Sequence, residues 1–272
     1  MTATTQAIWS LTNPRVKAAV RLRDRREREE TGLTLVEGGR ELLRALAQSV
    51  AIDHAFVCPQ LVIGPDASAA LDALQRDGTR LVEVSPAVLA KVAFGDRSDG
   101  IVAVIRPSSA RLEDLAPGPD PLIVVVEGVE KPGNLGAIMR TADAVGAVAV
   151  IAADPGTDVF NPNAIRASLG TIFSVPLAVA TASQTLDWLI GHGLTPIAAR
   201  VDAPETYVAT DLGGAVAIVL GSEAAGLTPT WNDHRVRPVR IPMLGAADSL
   251  NVSVAAAILL FEARRQRSAR GA

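Results

Sequence analysis

Five side chains in the second half of this 272-residue sequence have the chemistry to orient a hydroxyl and grip a phosphate: Asn134, Arg140, Glu223, Ser249 and Asn251. They supply two amides, a guanidinium, a carboxylate and a hydroxyl. They lie in three stretches of common design, in which an apolar strand leads through a glycine turn or polar loop to a polar helix start. The first runs from Glu127 through Gly128, Lys131, Pro132, Gly133 and Asn134 to Arg140, and the second is Leu220-Gly221-Ser222-Glu223-Ala224-Ala225-Gly226-Leu227. The third is Asp248-Ser249-Leu250-Asn251 ahead of an apolar run to Phe261. The glycines of the first stretch lack the Gly-Lys-Ser/Thr ending of a nucleotide-phosphate loop, and Gly-x-Gly-x-x-Gly and Gly-x-Ser-x-Gly are both absent. With one cysteine (Cys58) and three scattered histidines (His54, His192, His234), neither a metal centre nor an internal disulfide is expected.

Taken singly, each residue also has a plain reading. Arg140 suits the surface of an amphipathic helix, Asn134 a helix cap, and Glu223 a solvated acid in a turn. Asp248 or Ser249 could cap the helix that follows. The body of that helix, 252–261, is small and apolar on all sides, which predicts a core or interface element.

The positioning elements follow from periodicity. Strands are expected at 122–127, 148–152, 173–179, 195–200, 215–220 and 236–241, and continuous apolar runs such as 122–126 and 215–220 fit parallel strands covered on both faces. Helices are expected at 134–145, 162–169, 184–191 and 250–266. In a doubly wound parallel sheet ligands bind beyond the carboxyl ends of the strands, so the three loops should share that edge. The first half alternates shorter strands and helices, beginning with a charged helix over 13–30 capped by Asn13, and reads as a small α/β domain. Proline and glycine mark a linker between them. The domains are therefore expected at 1–107 and 121–272, joined by 108–120.

Hydrophobic residues make up 49% and charged residues 20% of the chain, enough for a substantial core. No apolar run approaches a membrane span and no apolar leader is visible, so a cytoplasmic protein is expected. The net charge of −3 argues against a whole-molecule attraction to nucleic acid. Seven basic residues against two acidic between 15 and 28 make a local exception, in which Arg21, Arg23, Arg25 and Arg26 are candidate RNA contacts; the alternative is a solvated helix face.

The motif Asn134-Leu135-Gly136-Ala137-Ile138-Met139-Arg140-Thr141-Ala142-Asp143 resembles the first motif of the SpoU/TrmH family of RNA ribose 2′-O-methyltransferases. The Leu220 to Leu227 stretch resembles the second, and Ile241-Pro242-Met243 with Ser249-Leu250-Asn251-Val252-Ser253 the third. The segment after Asn161-Pro162, through Asn163, Arg166 and Gly170, is also similar. The first half resembles, more loosely, the L30e-like RNA-binding domain that often precedes the catalytic domain. The resemblance implies an α/β SPOUT fold with a trefoil knot, S-adenosylmethionine as methyl donor, and a homodimer with its active site at the subunit interface. It implies that Arg140 activates the ribose hydroxyl, with Asn134, Glu223, Ser249 and Asn251 around it. Gly221, Ile241, Met243 and Leu250 would line the cofactor cleft, and Arg166 would contact RNA phosphate. Since a guanidinium is a poor base, Arg140 would act by stabilising the alkoxide that forms. Glu223 would orient Arg140 or substrate. The two-domain form points to ribosomal RNA, including the enzymes that confer resistance to ribosome-targeting antibiotics. A transfer-RNA methyltransferase and a non-catalytic RNA-binding protein of the same fold are the alternatives.

Overall fold

The computed structural model of the chain describes residues 6–95 and 99–270. The chain forms two compact units, Met1–Ser108 with Phe160–Ser174, and Ser109–Val159 with Val175–Ala272.

The first unit is built on a five-stranded mixed sheet. Its elements in chain order are β1 (Gln6–Ile8), α1 (Pro14–Arg21), α2 (Arg25–Thr31), β2 (Thr34–Glu37), α3 (Gly39–Ala47), β3 (Ala51–Val57), α4 (Pro65–Arg76), β4 (Leu81–Val84), α5 (Pro86–Val92) and β5 (Ile101–Arg106). The strand order is β1-β4-β3-β5-β2. Both β1 and β3 run parallel to β4, while β5 runs antiparallel to β3 and β2. The three-residue strand β1 is too short to show in the sequence pattern.

The single charged helix expected over 13–30 is two helices. Asn13 caps α1, accepting from Arg15 N, and Asp24 caps α2, accepting from Arg26 N. The break is held by Arg28, whose buried guanidinium donates to the carbonyls of Leu22 and Arg23, both at 2.9 Å. Three of the candidate RNA-binding arginines are ion-paired: Arg21 with Glu27 (3.2 Å), Arg25 with Glu29 (2.7 Å) and Arg26 with Glu30 (2.7 Å). Arg23 instead donates to main-chain carbonyls at the end of α5, among them Lys91 (3.0 Å) and Ala93.

Residues 160–174, which the strand pattern assigns to the second domain, pack with the first unit. They carry α7 (Pro162–Ala167) and α8 (Thr171–Ser174). Thr34 Oγ1 donates to the Phe160 carbonyl (2.8 Å), and the Arg44 guanidinium donates to that of Leu169. The strand expected at 173–179 starts only at Leu177. The Ser168 hydroxyl accepts the Gly170 N–H at 3.1 Å, and residues 171–174 form a helical turn ahead of Pro176.

The second unit is a wholly parallel six-stranded sheet. Its elements are β6 (Leu122–Glu127), α6 (Pro132–Val145), β7 (Ala149–Ala153), β8 (Leu177–Ala180), α9 (Ala182–Gly191), β9 (Thr195–Ala199), β10 (Val216–Leu220), β11 (Arg237–Val239) and α10 (Val252–Arg270), with strand order β11-β9-β10-β6-β7-β8. Every residue of β6, β7 and β10 is buried, as the unbroken apolar runs require. Because β6 and β10 are neighbours and parallel, with Val126 opposite Leu220, the loops that leave them emerge side by side.

On α10 the buried residues are Val252, Ala256, Leu259, Leu260 and Ala263, a single stripe. Val254 and Phe261, two turns apart, are exposed. The all-round burial expected from the sequence is therefore half met within one chain: one face packs on α6 and β10, and the apolar stripe of the other is open.

Below the site, the buried carboxylate of Glu127 at the end of β6 accepts both the N–H (2.8 Å) and the hydroxyl (2.7 Å) of Thr228, tying down the loop that follows β10. Replacing Glu127 with alanine removes two charge-assisted bonds and leaves the Thr228 N–H without its partner. The expected loss is about 3 kcal/mol of stability, read as a lower urea midpoint with an unchanged denaturant slope.

Candidate active site

One carboxylate gathers the three loops. Glu223 Oε1 accepts from Asn134 Nδ2 at 2.7 Å and from Asn251 Nδ2 at 2.6 Å. Its Oε2 accepts from the Lys131 ammonium. Asn251 Nδ2 also reaches Asn134 Oδ1 at 3.3 Å, closing a ring of amides. The loop that presents Glu223 is pinched shut by paired main-chain bonds between Ser222 and Gly226, at 3.1 and 3.0 Å. Gly221 must be glycine, because a Cβ there would lie 2.3 Å from the Gly226 carbonyl carbon.

The local helix starts differ from the expected ones. Lys131 is the N-cap of α6 and Asn134 stands in its first turn, so the Asn134 amide is free to reach Glu223. At α10 neither Asp248 nor Ser249 is the cap. Asn251 takes that place, its Oδ1 accepting the N–H of Ser253 at 3.0 Å and the Ser253 hydroxyl at 2.6 Å. With its oxygen turned into the helix, the Asn251 amide nitrogen can only face outward, toward Glu223.

The Lys131 ammonium, with help from the Asn134 amide and the Val252 N–H, holds the Glu223 carboxyl below the usual glutamate range. Glu223 in turn raises Lys131. Both are charged at neutral pH.

Beside this cluster lies a cavity of about 550 Å³, within the range of roughly 300–1,000 Å³ usual for small-molecule sites. The four residues expected at a cofactor cleft, Gly221, Ile241, Met243 and Leu250, all line it, as do Glu223 and Ser249. Leu220, Leu227 and Val239 extend its apolar wall, and Arg200, Asp202 and Asp248 add charge.

Residues 121–261 match the SpoU rRNA Methylase family, and residues 13–103 match the MRM3-like substrate binding domain. The chain belongs to the SpoU rRNA methylase family. A 23S rRNA (guanosine-2′-O-)-methyltransferase RlmB of Pseudomonas syringae pv. tomato is 39% identical over 179 residues, covering 63% of this chain and 71% of that protein. A crystal structure described as an RNA 2′-O ribose methyltransferase aligns with a TM-score of 0.85 at 42% identity, over 97% of this chain and 100% of the other. An AdoMet-bound rRNA methyltransferase from Sinorhizobium meliloti aligns at 0.86 and 31%, over 96% and 98%. This SpoU methylase is an S-adenosylmethionine-dependent ribose 2′-O-methyltransferase of ribosomal RNA.

The cavity suits that cofactor on its own terms. Aliphatic walls at Leu220, Ile241 and Leu250 match a flat adenine, and the Asp248 carboxylate, with the Arg200–Asp202 ion pair beside it, offers charge to a ligand that carries a sulfonium, an ammonium and a carboxylate.

The structure does not join every expected residue to the methylase cluster. Ser249 lines the cavity but makes no hydrogen bond to the described residues of the cluster. Arg140 lies exposed on α6 with no hydrogen bond or ion pair among the described residues, so within one chain Glu223 orients Lys131 and the two asparagines, not Arg140. Six helical residues separate Arg140 from Asn134, which sets it about 9 Å along the axis and some 120° around it. Arg166 lies in the first unit, half-buried with its guanidinium against Gly95. Lys131 was visible in the glycine loop, but a single cation before a proline carries no spacing signal. Arg200 and Asp202 follow β9, whose loop has no glycine to mark it.

Substituting Gly221 with alanine forces the 222–226 loop open at the cavity wall. Calorimetry should show S-adenosylmethionine affinity reduced by about tenfold or more, ~1.4 kcal/mol, with the circular dichroism of the fold retained.

Proposed function

We propose that the enzyme methylates a guanosine 2′-hydroxyl in large-subunit ribosomal RNA, in the cytoplasm, as a homodimer whose two active sites each draw on both chains. The observation that carries this reading is the Asn134–Glu223–Asn251 cluster at the mouth of a cofactor-sized cavity, with the expected hydroxyl activator facing elsewhere. Bound S-adenosylmethionine supplies an electrophilic methyl group on sulfur. Gly221, Ile241, Met243 and Leu250 hold it by main-chain approach and apolar contact. Asn134 and Asn251, fixed by Glu223, set the position of the ribose, and Ser249 donates a hydroxyl at the cavity rim.

Arg140 comes from the second copy. The exposed stripe of α10 at Val254 and Phe261 is apolar and needs a cover, and the exposed residues of the adjoining α6 are Gly133, Arg140, Asp143 and Ala144, of which the glycine and alanine allow close approach. A two-fold axis at this face brings each Arg140 toward the other chain's cluster. There the guanidinium would stabilise the negative charge that develops on the ribose 2′-oxygen as the hydroxyl proton passes to solvent, and would pair with the adjacent phosphate.

The 13–103 domain and Arg166 hold the rest of the RNA. Arg21, Arg25 and Arg26 are paired with glutamates at the surface, and such pairs contribute only about 0–1 kcal/mol, so phosphates can replace those partners. Arg23, committed to carbonyls at the end of α5, contributes less. Changing Arg21, Arg25 and Arg26 to glutamine should flatten the dependence of RNA affinity on salt by up to about three units, with cofactor affinity unchanged. An unchanged slope would leave RNA binding to other surfaces.

The shared site has a direct test. Arg140→Ala and Glu223→Ala should each lower single-turnover methylation by roughly 10²–10⁴-fold while S-adenosylmethionine still binds. Co-refolded in equal amounts, half the dimers pair the two variants and hold one intact site of two, so about a quarter of wild-type activity should return. No recovery would place both residues in one chain's site.

A further inference from the structure

Among the cluster residues, Lys131 has no part in the roles assigned so far. Its position is unfavourable for the helix it starts. As the N-cap of α6 it makes no capping bond, and a cation at a helix N-terminus opposes the positive end of the dipole. Ser, Thr, Asp or Asn there would stabilise the helix by about 1 kcal/mol relative to a non-capping residue. Its side chain is largely exposed, yet it turns toward Glu223.

We propose that Lys131 is a positioning residue for methyl transfer: its ammonium group holds the Glu223 side chain in the one orientation that bridges Asn134 and Asn251. This rests on the reading of the cluster as the ribose-positioning site. The geometry carries it. Glu223 has two oxygens and three side-chain donors. Lys131 takes Oε2, and both amides converge on Oε1. Without the ammonium, rotation about the last side-chain bond lets the two oxygens share the amides, and the Asn134–Asn251 contact at 3.3 Å loses its common anchor.

A neutral, protonated Glu223 would hold the amides more weakly, because a carbonyl oxygen is a poorer acceptor than a carboxylate and its hydroxyl on Oε2 would face the Lys131 donor. The groups facing this carboxyl are Lys131 of α6 with Glu130 behind it, the Asn134 amide, and the Asn251 amide and Val252 N–H at the start of α10. Lys131 leads in keeping it ionised. A depressed carboxylate stays charged at neutral pH and is lost only as pH falls through its folded value. Removing Lys131 therefore moves that loss to higher pH.

The test uses the full-length enzyme with a ribosomal RNA fragment, in single turnover. Lys131→Met should lower the rate at saturating RNA about tenfold, with the half-saturating RNA concentration and calorimetric S-adenosylmethionine affinity held within about twofold. Its rate should fall away at higher pH than the wild type's, and Lys131→Arg should restore the rate to within about threefold. In the Glu223→Gln background, Lys131→Met should change the rate by less than about twofold, since a residue acting through Glu223 has nothing further to act on. Full additivity of the two substitutions would overturn the proposal. So would a Lys131→Met enzyme whose only defect is weaker RNA binding with a salt slope lower by about one unit, the mark of a phosphate contact. A Glu223→Gln enzyme with wild-type turnover would overturn the reading of the cluster itself, and is distinguishable because Lys131→Met is measured separately.

Discussion

The site depends on one half-exposed carboxylate. Among the described residues Glu223 is the one acid hydrogen-bonded to Asn134, Asn251 and Lys131, and those partners lie on the other two of the three loops. Bonds to a charged acceptor are each worth about 1.5–3 kcal/mol when shielded from water and less at the surface. Their value here is geometric more than energetic. A loop, a helix start and a second helix start, none rigid alone, become one constellation because each spends a donor on the same group.

That constellation stands on the sheet. A parallel arrangement delivers the ends of β6 and β10 to the same edge with their last residues in register. Glu127, one step beyond that register, uses a buried carboxylate to clamp the second loop from beneath through Thr228. The two acids divide the work. Glu127 is sealed from solvent and structural, whereas Glu223 lines the cavity and ties the loops together there. Between them the 221–226 loop closes on itself so tightly that its first residue has no room for a side chain.

Two helices carry polar starts to this edge by different means. In α10 the cap and the site residue are the same asparagine: its oxygen satisfies the helix and its nitrogen faces Glu223. In α6 the cap position is given to a lysine that does nothing for the helix, and the site residue follows one turn in. Helix stability is sacrificed at the position where a cation serves the cluster. Along the same helix Arg140 is exposed, and on α10 the fold leaves Val254 and Phe261 open.

Much of this was legible in the residues. The central strands of the second unit, β6, β7 and β10, appeared as unbroken apolar runs within a residue of their observed ends, because burial on both faces leaves no polar position to blur them; at 173–179 the strand begins only after Pro176. The motifs named the family, the methyl donor and the loops, since each glycine and amide had to be where the chain turns. What the sequence could not state was who bonds to whom. The cap of α10 went to Asn251 instead of Asp248 or Ser249, the helix over 13–30 broke where Asp24 and Arg28 could end one helix and start another, and residues 160–174 packed with the first unit. The partner of Glu223 proved to be Lys131, with Arg140 elsewhere. The physical reason is range. Strand, turn and helix signals are set by neighbours a few residues apart, whereas Asn134 and Glu223 are 89 residues apart and meet only because the sheet order places β6 beside β10.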